Sequence, residues 1–445
     1  MTGISHLIIS ILLSSAGKMT DSVICKADPA QSYALYVPAR GDRAALPVIF
    51  FFDPHANGAL PLRKYRTLAD TYGFILAGSN NSRNGNDGAT SERIWRRLSE
   101  DIRGRVKIDP NRIYACGFSG GAKVAGYLAI QHPEIAGVIA GGAGLPDGTP
   151  AASFPFSLTA IAGEGDMNLT ELVSLNDALD KTRTPHRIIF FDGKHEWAPV
   201  STMDLAFAGL QFDVMKRGGM SKDQAFIDRY MVKSRQRLNT YITGHRLLRA
   251  MQEYRISISL LDGLTDQVRW FKDRAFSLDK NPGYRQERQV QETLLSREEA
   301  TKGDYGRHFQ QEDRTYWATT IRDLQIKSTA GTAESAMYQR LLAYLSLAFY
   351  SISHQLIAGN ENKEARYFVE LYKMADPANS EAWYFSAVLH ARDRDGQAAE
   401  GDLLRAAGEG FNDKVRMRQQ PEFNLLSGKI DFLKVERKMR SGIFH

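Results

Sequence analysis

Cysteine is almost absent from this chain, with only Cys25 and Cys116 in 445 residues. One disulfide is therefore the ceiling, which excludes a small domain stapled by a disulfide framework, and no Cys/His spacing has the form of a zinc site. Long apolar runs are also missing. Beyond residues 7–13 (LIISILL), no stretch approaches the roughly 18 apolar residues that a bilayer-spanning helix needs, so no membrane span is expected. Nor is there a dense Lys/Arg tract interleaved with aromatics, which argues against a nucleic-acid partner. The net charge is a mild +6, from 57 Lys and Arg against 51 Asp and Glu, an excess that suits acidic polysaccharide or cell-surface material. With 43% hydrophobic and 24% charged residues, the composition is that of ordinary globular protein rather than of a disordered chain. At 445 residues it exceeds what one core supports, so at least two domains are expected.

Residues 7–13, followed by Ser14, Ser15 and Ala16, have the form of a short apolar core of a signal peptide with a small-residue cleavage site after Ala16. No lysine or arginine precedes the run. Export to the periplasm or medium is the expectation, with a cytoplasmic extension or a mis-assigned start as the alternative. Cys25 is no lipid-attachment cysteine, because Val23 and Ile24 precede it where a small residue is needed. Cys116 falls in a central strand and reads as a buried free thiol.

What is present is concentrated at residues 112–123 (RIYACGFSGGAK). An apolar, β-type run delivers a serine into Gly117-Phe118-Ser119-Gly120-Gly121, and small, helix-compatible residues follow at once. A serine at a strand-to-helix turn needs strained backbone angles, and the flanking glycines remove the Cβ clashes that would forbid them. The N–H of Gly120, opening the next helix, is then a candidate oxyanion donor. With 37 glycines the pentapeptide arises by accident in roughly one in five such chains, so its context decides its value.

A serine nucleophile must pass its proton to a histidine oriented by a carboxylate, in α/β-hydrolases in the chain order Ser, Asp or Glu, His. Residues 158–162 (LTAIA) form a short buried-strand run ending in Gly163-Glu164-Gly165-Asp166. A helical stretch, residues 169–179, and a second apolar strand, residues 187–191 (RIIFF), lead to Asp192-Gly193-Lys194-His195-Glu196-Trp197. Asp166 and His195 thus both lie at carboxyl ends of predicted strands, on the rim where open α/β sheets carry their sites. Glu164 and Asp192 are the rival acids. The apolar run at residues 47–52 (PVIFFF) leads into Asp53-Pro54-His55-Ala56, whose loop should supply the second oxyanion donor: His55, with Ala56 next. His55 precedes the serine, which breaks the order expected of the base.

With these residues in view, the chain resembles the α/β-hydrolase superfamily. Within it, the chain resembles bacterial serine esterases related to feruloyl esterases and polyhydroxybutyrate depolymerases. The likeness spans about residues 20–215 and rests on residues 31–38 (QSYALYVP), GFSGG, Asp166 after a strand, and His195-Glu196-Trp197. It implies ester hydrolysis through an acyl-enzyme on Ser119, with Asp166 and His195 completing the triad and no metal or organic cofactor. The family's loop after the third strand usually begins His-Gly, where this chain has Asp53-Pro54-His55-Ala56. The connection from Gly141 to Ser157 leaves no room for a large lid, so an open cleft is expected, suited to an ester displayed on a polysaccharide or another large molecule. Asn80, Asn81 and Ser82 after the fourth strand, and Trp197, are candidate substrate-binding residues, Trp197 by stacking or else by packing in the fold.

After about residue 216 helical periodicity replaces strands. The domains expected are a candidate signal peptide (1–16), a mostly parallel, doubly wound α/β-hydrolase sheet (17–215), a helical connector region (216–335) and an all-α domain (336–445). In the last, Phe349 and Trp383, and likewise Ala365 and Ala399, are 34 residues apart. Segments 346–379 and 380–413 resemble tetratricopeptide repeats in this spacing, which implies a protein-binding groove; support for the hydrolase domain, or a plain bundle, are the alternatives. Besides a serine esterase, two readings stay open: a serine peptidase or amidase with the same triad, and a non-catalytic scaffold.

Overall fold

The computed structural model describes residues 17–39, 45–150, 152–309, 314–426 and 428–441. The apolar run at 7–13 and the cleavage site after Ala16 lie outside them.

Eight strands form one sheet: β1 (Met19–Cys25), β2 (Asp28–Tyr36), β3 (Leu46–Phe52), β4 (Ile75–Ser79), β5 (Ile108–Phe118), β6 (Ile135–Gly141), β7 (Ser157–Gly163) and β8 (His186–Phe191). Their order is β1-β2-β4-β3-β5-β6-β7-β8. The β1–β2 and β2–β4 pairs are antiparallel and every later pair is parallel. Parallel strands are covered on both faces and so read as continuous apolar runs; residues 47–52 of β3 and all seven residues of β7 are buried. Alternate residues serve opposite faces. Ile49 and Phe51 of β3, with Tyr114 and Cys116 of β5, face Leu62 and Tyr65 of α1 (Ala59–Tyr72) and Phe207 and Leu210 of α5 (Val200–Lys216). Val48, Phe50 and Ala115 face Trp95 and Leu98 of α2 (Gly88–Arg103) and Ala125 and Leu128 of α3 (Gly120–Gln131). Helix α4 (Leu169–Leu179) joins β7 to β8. This is the α/β-hydrolase architecture. Both cysteines are buried and free, and burial pushes the Cys25 thiol up to about 11.

The change of composition near residue 216 ends the sheet but not the compact unit. Helices α6 (Gln224–Thr243), α7 (Leu247–Leu261) and α8 (Val268–Asp279) add Ile227, Tyr230, Leu238, Ala250, Leu260 and Phe271 to the apolar cluster that holds Phe207 and Leu210. The first unit accordingly runs to Glu292, not to 215. Periodicity shows that a helix buries one face without showing against what, so the change of composition near 216 marks where the strands end and not where the unit does.

The polar stretch around residues 279–314 is mostly the 27-residue helix α9 (Pro282–His308). The second unit, Thr293–His445, is helical: α10 (Arg314–Ser328), α11 (Ser335–Ala358), α12 (Asn362–Ala375), α13 (Ser380–Arg392), α14 (Gly396–Gly408), α15 (Lys414–Gln419), α16 (Pro421–Asn424) and α17 (Phe432–Ser441). It has its own core around Trp317, Leu345, Phe349, Tyr372, Phe385 and Leu403. Ala365 on α12 and Ala399 on α14 are both fully buried. Phe349 is fully buried too, whereas Trp383 is half-buried and donates its indole N–H to Pro377 O at 2.9 Å. The first members of the two 34-residue segments also differ, α11 having 24 residues and α13 having 13. One expectation is corrected here: α11 is long and apolar enough, by length and composition, to cross a membrane. Its Met337, Leu341, Leu345 and Phe349 are buried in this unit's core.

Candidate active site

Strand β5 ends at Phe118, and Ser119 follows with φ +53° and ψ −126°, a region that costs a non-glycine residue on the order of 1–3 kcal/mol. The turn survives because its surroundings hold it. Ser119 N–H donates to Gly141 O at 2.8 Å, and Ala122 N–H closes back on Ser119 O at 2.9 Å. The backbones here approach too closely for side chains: a Cβ on Gly117 would stand 2.0 Å from Gly121 O, and one on Gly121 would stand 2.0 Å from Phe52 O.

Ser119 Oγ lies 2.9 Å from His195 Nε2, and His195 Nδ1 lies 2.9 Å from Asp166 Oδ1. In the neutral tautomer this network favours, Nδ1–H donates to the carboxylate and Nε2 accepts the serine proton. Asp166 is 1% exposed, and its Oδ1 also accepts the Asn168 N–H at 2.9 Å. Asn168 in turn donates from Nδ2 to Gly142 O at 2.8 Å, tying the acid's loop to the end of β6. The His195 ring rests on Phe118, ring centres 4.6 Å apart.

The loops carrying the acid and the histidine are joined along their backbones, Glu164 N–H donating to Phe191 O at 2.9 Å and Gly165 N–H to Gly193 O at 2.8 Å. Arginines at the start of α7, Arg246 at its N-cap and Arg249 in its first turn, hold the rival acids. Arg249, 7% exposed, contacts Glu164 at 2.7 Å and Asp192 at 2.9 Å, and Arg246 contacts Asp192 at 2.7 Å. The hydrogen bond from Arg246, with the Arg249 charge, keeps the Asp192 carboxyl below its usual range despite partial burial. Nothing in the local sequence near 246 and 249 pointed to this; two arginines on a helix read as a solvated face.

Five expected site residues, His55, Trp197, Asn80, Asn81 and Ser82, are placed elsewhere. The His55 N–H donates to Asp53 Oδ1 at 2.9 Å, Ala56 N–H to Asp53 O at 3.2 Å, and Pro54 has no N–H, so the loop after β3 satisfies its own amides and offers none to an oxyanion. The His55 ring is 83% exposed beside Asp53. Trp197 is 7% exposed, donates Nε1–H to Asp53 Oδ2 at 2.9 Å and packs against Phe118, Phe51 and Tyr65, so it is part of the wall and cannot stack on a substrate. Asn80 donates to Asp21 O and Ser32 Oγ, while Asn81 accepts the Ser32 N–H and donates to Ala30 O; both fasten the edge of the sheet instead of lining a cleft. Ser82 is buried, its N–H on Ser79 Oγ. Gly120, by contrast, opens α3, where the first amides have no intrahelical acceptor. Among the described residues, no group of three His, Cys, Asp or Glu is placed to hold a metal ion.

The sequence matches no protein-family model and no curated protein. Among solved structures it is similar to a ferulic acid esterase, at 15% identity and TM-score 0.36, over 44% of this chain and 97% of that one. It is also similar to an S-formylglutathione hydrolase from Agrobacterium tumefaciens, at 15% and 0.34, over 44% and 93%. A further similarity, to an acylaminoacyl peptidase from Pyrococcus horikoshii, stands at 14% and 0.34, over 49% and 44%. At such scores nothing about substrate follows.

Proposed function

We propose that the chain is a serine hydrolase that cleaves carboxylic esters through an acyl-enzyme on Ser119. Ser119 Oγ attacks the ester carbonyl carbon while His195 Nε2 takes its proton, and the charge moves to the carbonyl oxygen. Collapse of this intermediate breaks the bond to the alcohol oxygen, which leaves with the proton from His195. Water then repeats the sequence on the acyl-enzyme, releasing the carboxylic acid and restoring Ser119. Asp166 fixes the imidazole tautomer and stabilises the imidazolium that forms twice per turnover.

The observation that carries this reading is the unbroken Ser119–His195–Asp166 chain, two contacts of 2.9 Å, hung on a serine at positive φ. The acyl acceptor side is read as open. Among the described residues between β6 and β7 there is neither helix nor strand, which supports an ester presented on a larger molecule. Hydrolysis of p-nitrophenyl acetate and butyrate, lost in Ser119→Ala, tests the reaction. A wild-type protein inactive on both, with Ser119 unlabelled by a fluorophosphonate, would overturn it. Acetylated sugars, feruloyl esters and peptide anilides, compared by kcat/KM, then separate ester from amide chemistry.

A further inference from the structure

Accepting Ser119 as the nucleophile leaves a gap in the site. The Gly120 N–H is one oxyanion donor, and the loop after β3 supplies no second, because Asp53 takes its amides. We propose that the second donor is a side chain, the carboxamide of Asn84.

Asn84 lies in the loop between β4 and α2, and that loop is fastened to residues 54–55 before its side chain is considered. Asn84 N–H donates to Pro54 O at 2.9 Å, residues 55 and 83 pair as an isolated antiparallel bridge, and Arg83 N–H donates to Asn86 Oδ1 at 2.9 Å. From this footing the carboxamide is laid against Gly120. A Cβ on residue 120 would stand 1.9 Å from Asn84 Oδ1, 3.0 Å from Cγ and 3.7 Å from Nδ2. A side chain at residue 120 would displace the Asn84 carboxamide from this position, so the second glycine of GFSGG leaves room for it. The carboxamide has no hydrogen-bond partner among the described residues, unlike those of Asn80 and Asn81 nearby. A half-turn about its last torsion exchanges the oxygen and the nitrogen, a choice that only the partner decides. An oxygen accepting from the Gly120 N–H brings that partner, and the developing negative charge selects the N–H end.

A neutral amide serves well in this position. It adds no charge to the resting site, and its hydrogen bond strengthens as the carbonyl oxygen becomes anionic, so it acts on the transition state more than on the bound ester. Removing one such donor costs about 10²–10³ in kcat.

The test is steady-state kinetics of Asn84→Ala and Asn84→Asp on p-nitrophenyl acetate, with thermal midpoints recorded alongside. Asn84 is exposed, so both variants should melt with the wild type. The expected result is kcat lower by about 10²–10³ with KM within about threefold, and at least as large a fall in Asn84→Asp. Affinity for a trifluoromethyl ketone, whose bound hemiketal oxygen is anionic, should fall in parallel with kcat/KM; a residue that merely shaped the loop would not produce that correlation. Asn84→Ala retaining kcat within about threefold, while Ser119→Ala is inactive, would overturn this assignment and leave the nucleophile standing. A wild type that neither hydrolyses esters nor labels at Ser119 would overturn both.

Discussion

The two sides of Ser119 are built on opposite rules. Toward the triad, polar groups are engaged: His195 between Ser119 and Asp166, Asp166 capped by the Asn168 N–H, and the rival acids Glu164 and Asp192 held by Arg249. Toward the helix start, the Gly120 amide and the Asn84 carboxamide have no partner among the described residues, although the Asn84 main chain is firmly tied to Pro54 O. The difference follows from what each side must do. Orientation of a proton acceptor has to be complete before substrate arrives, whereas donors for a transient charge are useful only if nothing in the resting protein already occupies them.

The largest effect expected breaks the triad side. Ser119→Ala should lower kcat about 10⁶-fold, and His195→Ala by a similar factor, both measured on p-nitrophenyl acetate with the fold intact. Asp166→Asn should lower it about 10⁴-fold, because the carboxamide can hold the wrong imidazole tautomer. On the other side of the comparison, Asn84→Ala is expected to cost about 10²–10³ and His55→Ala less than about threefold, since the His55 ring is exposed and its N–H is spent on Asp53. If His55→Ala fell as far as Asn84→Ala, the imidazole itself, not the main-chain N–H that this variant keeps, would have a part in the reaction. Arg249→Ala sharpens the engaged side: it removes the buried guanidinium that links Glu164 to Asp192 beside the histidine loop, while Arg246 still contacts Asp192, and on the order of a tenfold loss of kcat/KM is expected, with stability lower by about 1–3 kcal/mol in denaturant unfolding. Trp197→Phe should do least to the kinetics. It leaves Asp53 Oδ2 without its indole partner, which costs roughly 1–3 kcal/mol of stability, while KM for aryl and sugar esters stays unchanged; a raised KM would instead restore the stacking role.

Much of the engaged side was legible in the residues. Ser119, Asp166 and His195 each follow a short apolar run, continuous in β7 as burial on both faces demands and alternately buried in the edge strand β8, so the strand ends and their order along the chain came directly from the pattern. The partner of each free amide was not legible. Whether the His55 N–H faces a cleft or Asp53 depends on how a Pro-containing turn closes, and nothing in Asp53-Pro54-His55-Ala56 states it. Asn80, Asn81 and Asn84 look alike in the string NNSRN; only the fold reveals that two of them clasp β2 residues and their neighbours while the third lies on Gly120. Helices α6–α8 illustrate the same limit on a larger scale, for their apolar faces were visible and their belonging to the sheet unit was not.

The central claim is that Ser119 is an activated nucleophile, and intact-mass analysis after brief treatment with a fluorophosphonate tests it most directly. A single adduct is expected, mapped by peptide digestion to Ser119, absent from Ser119→Ala and formed far more slowly by His195→Ala. A folded wild-type protein that takes up no label, or takes it up at a residue other than Ser119, would contradict it.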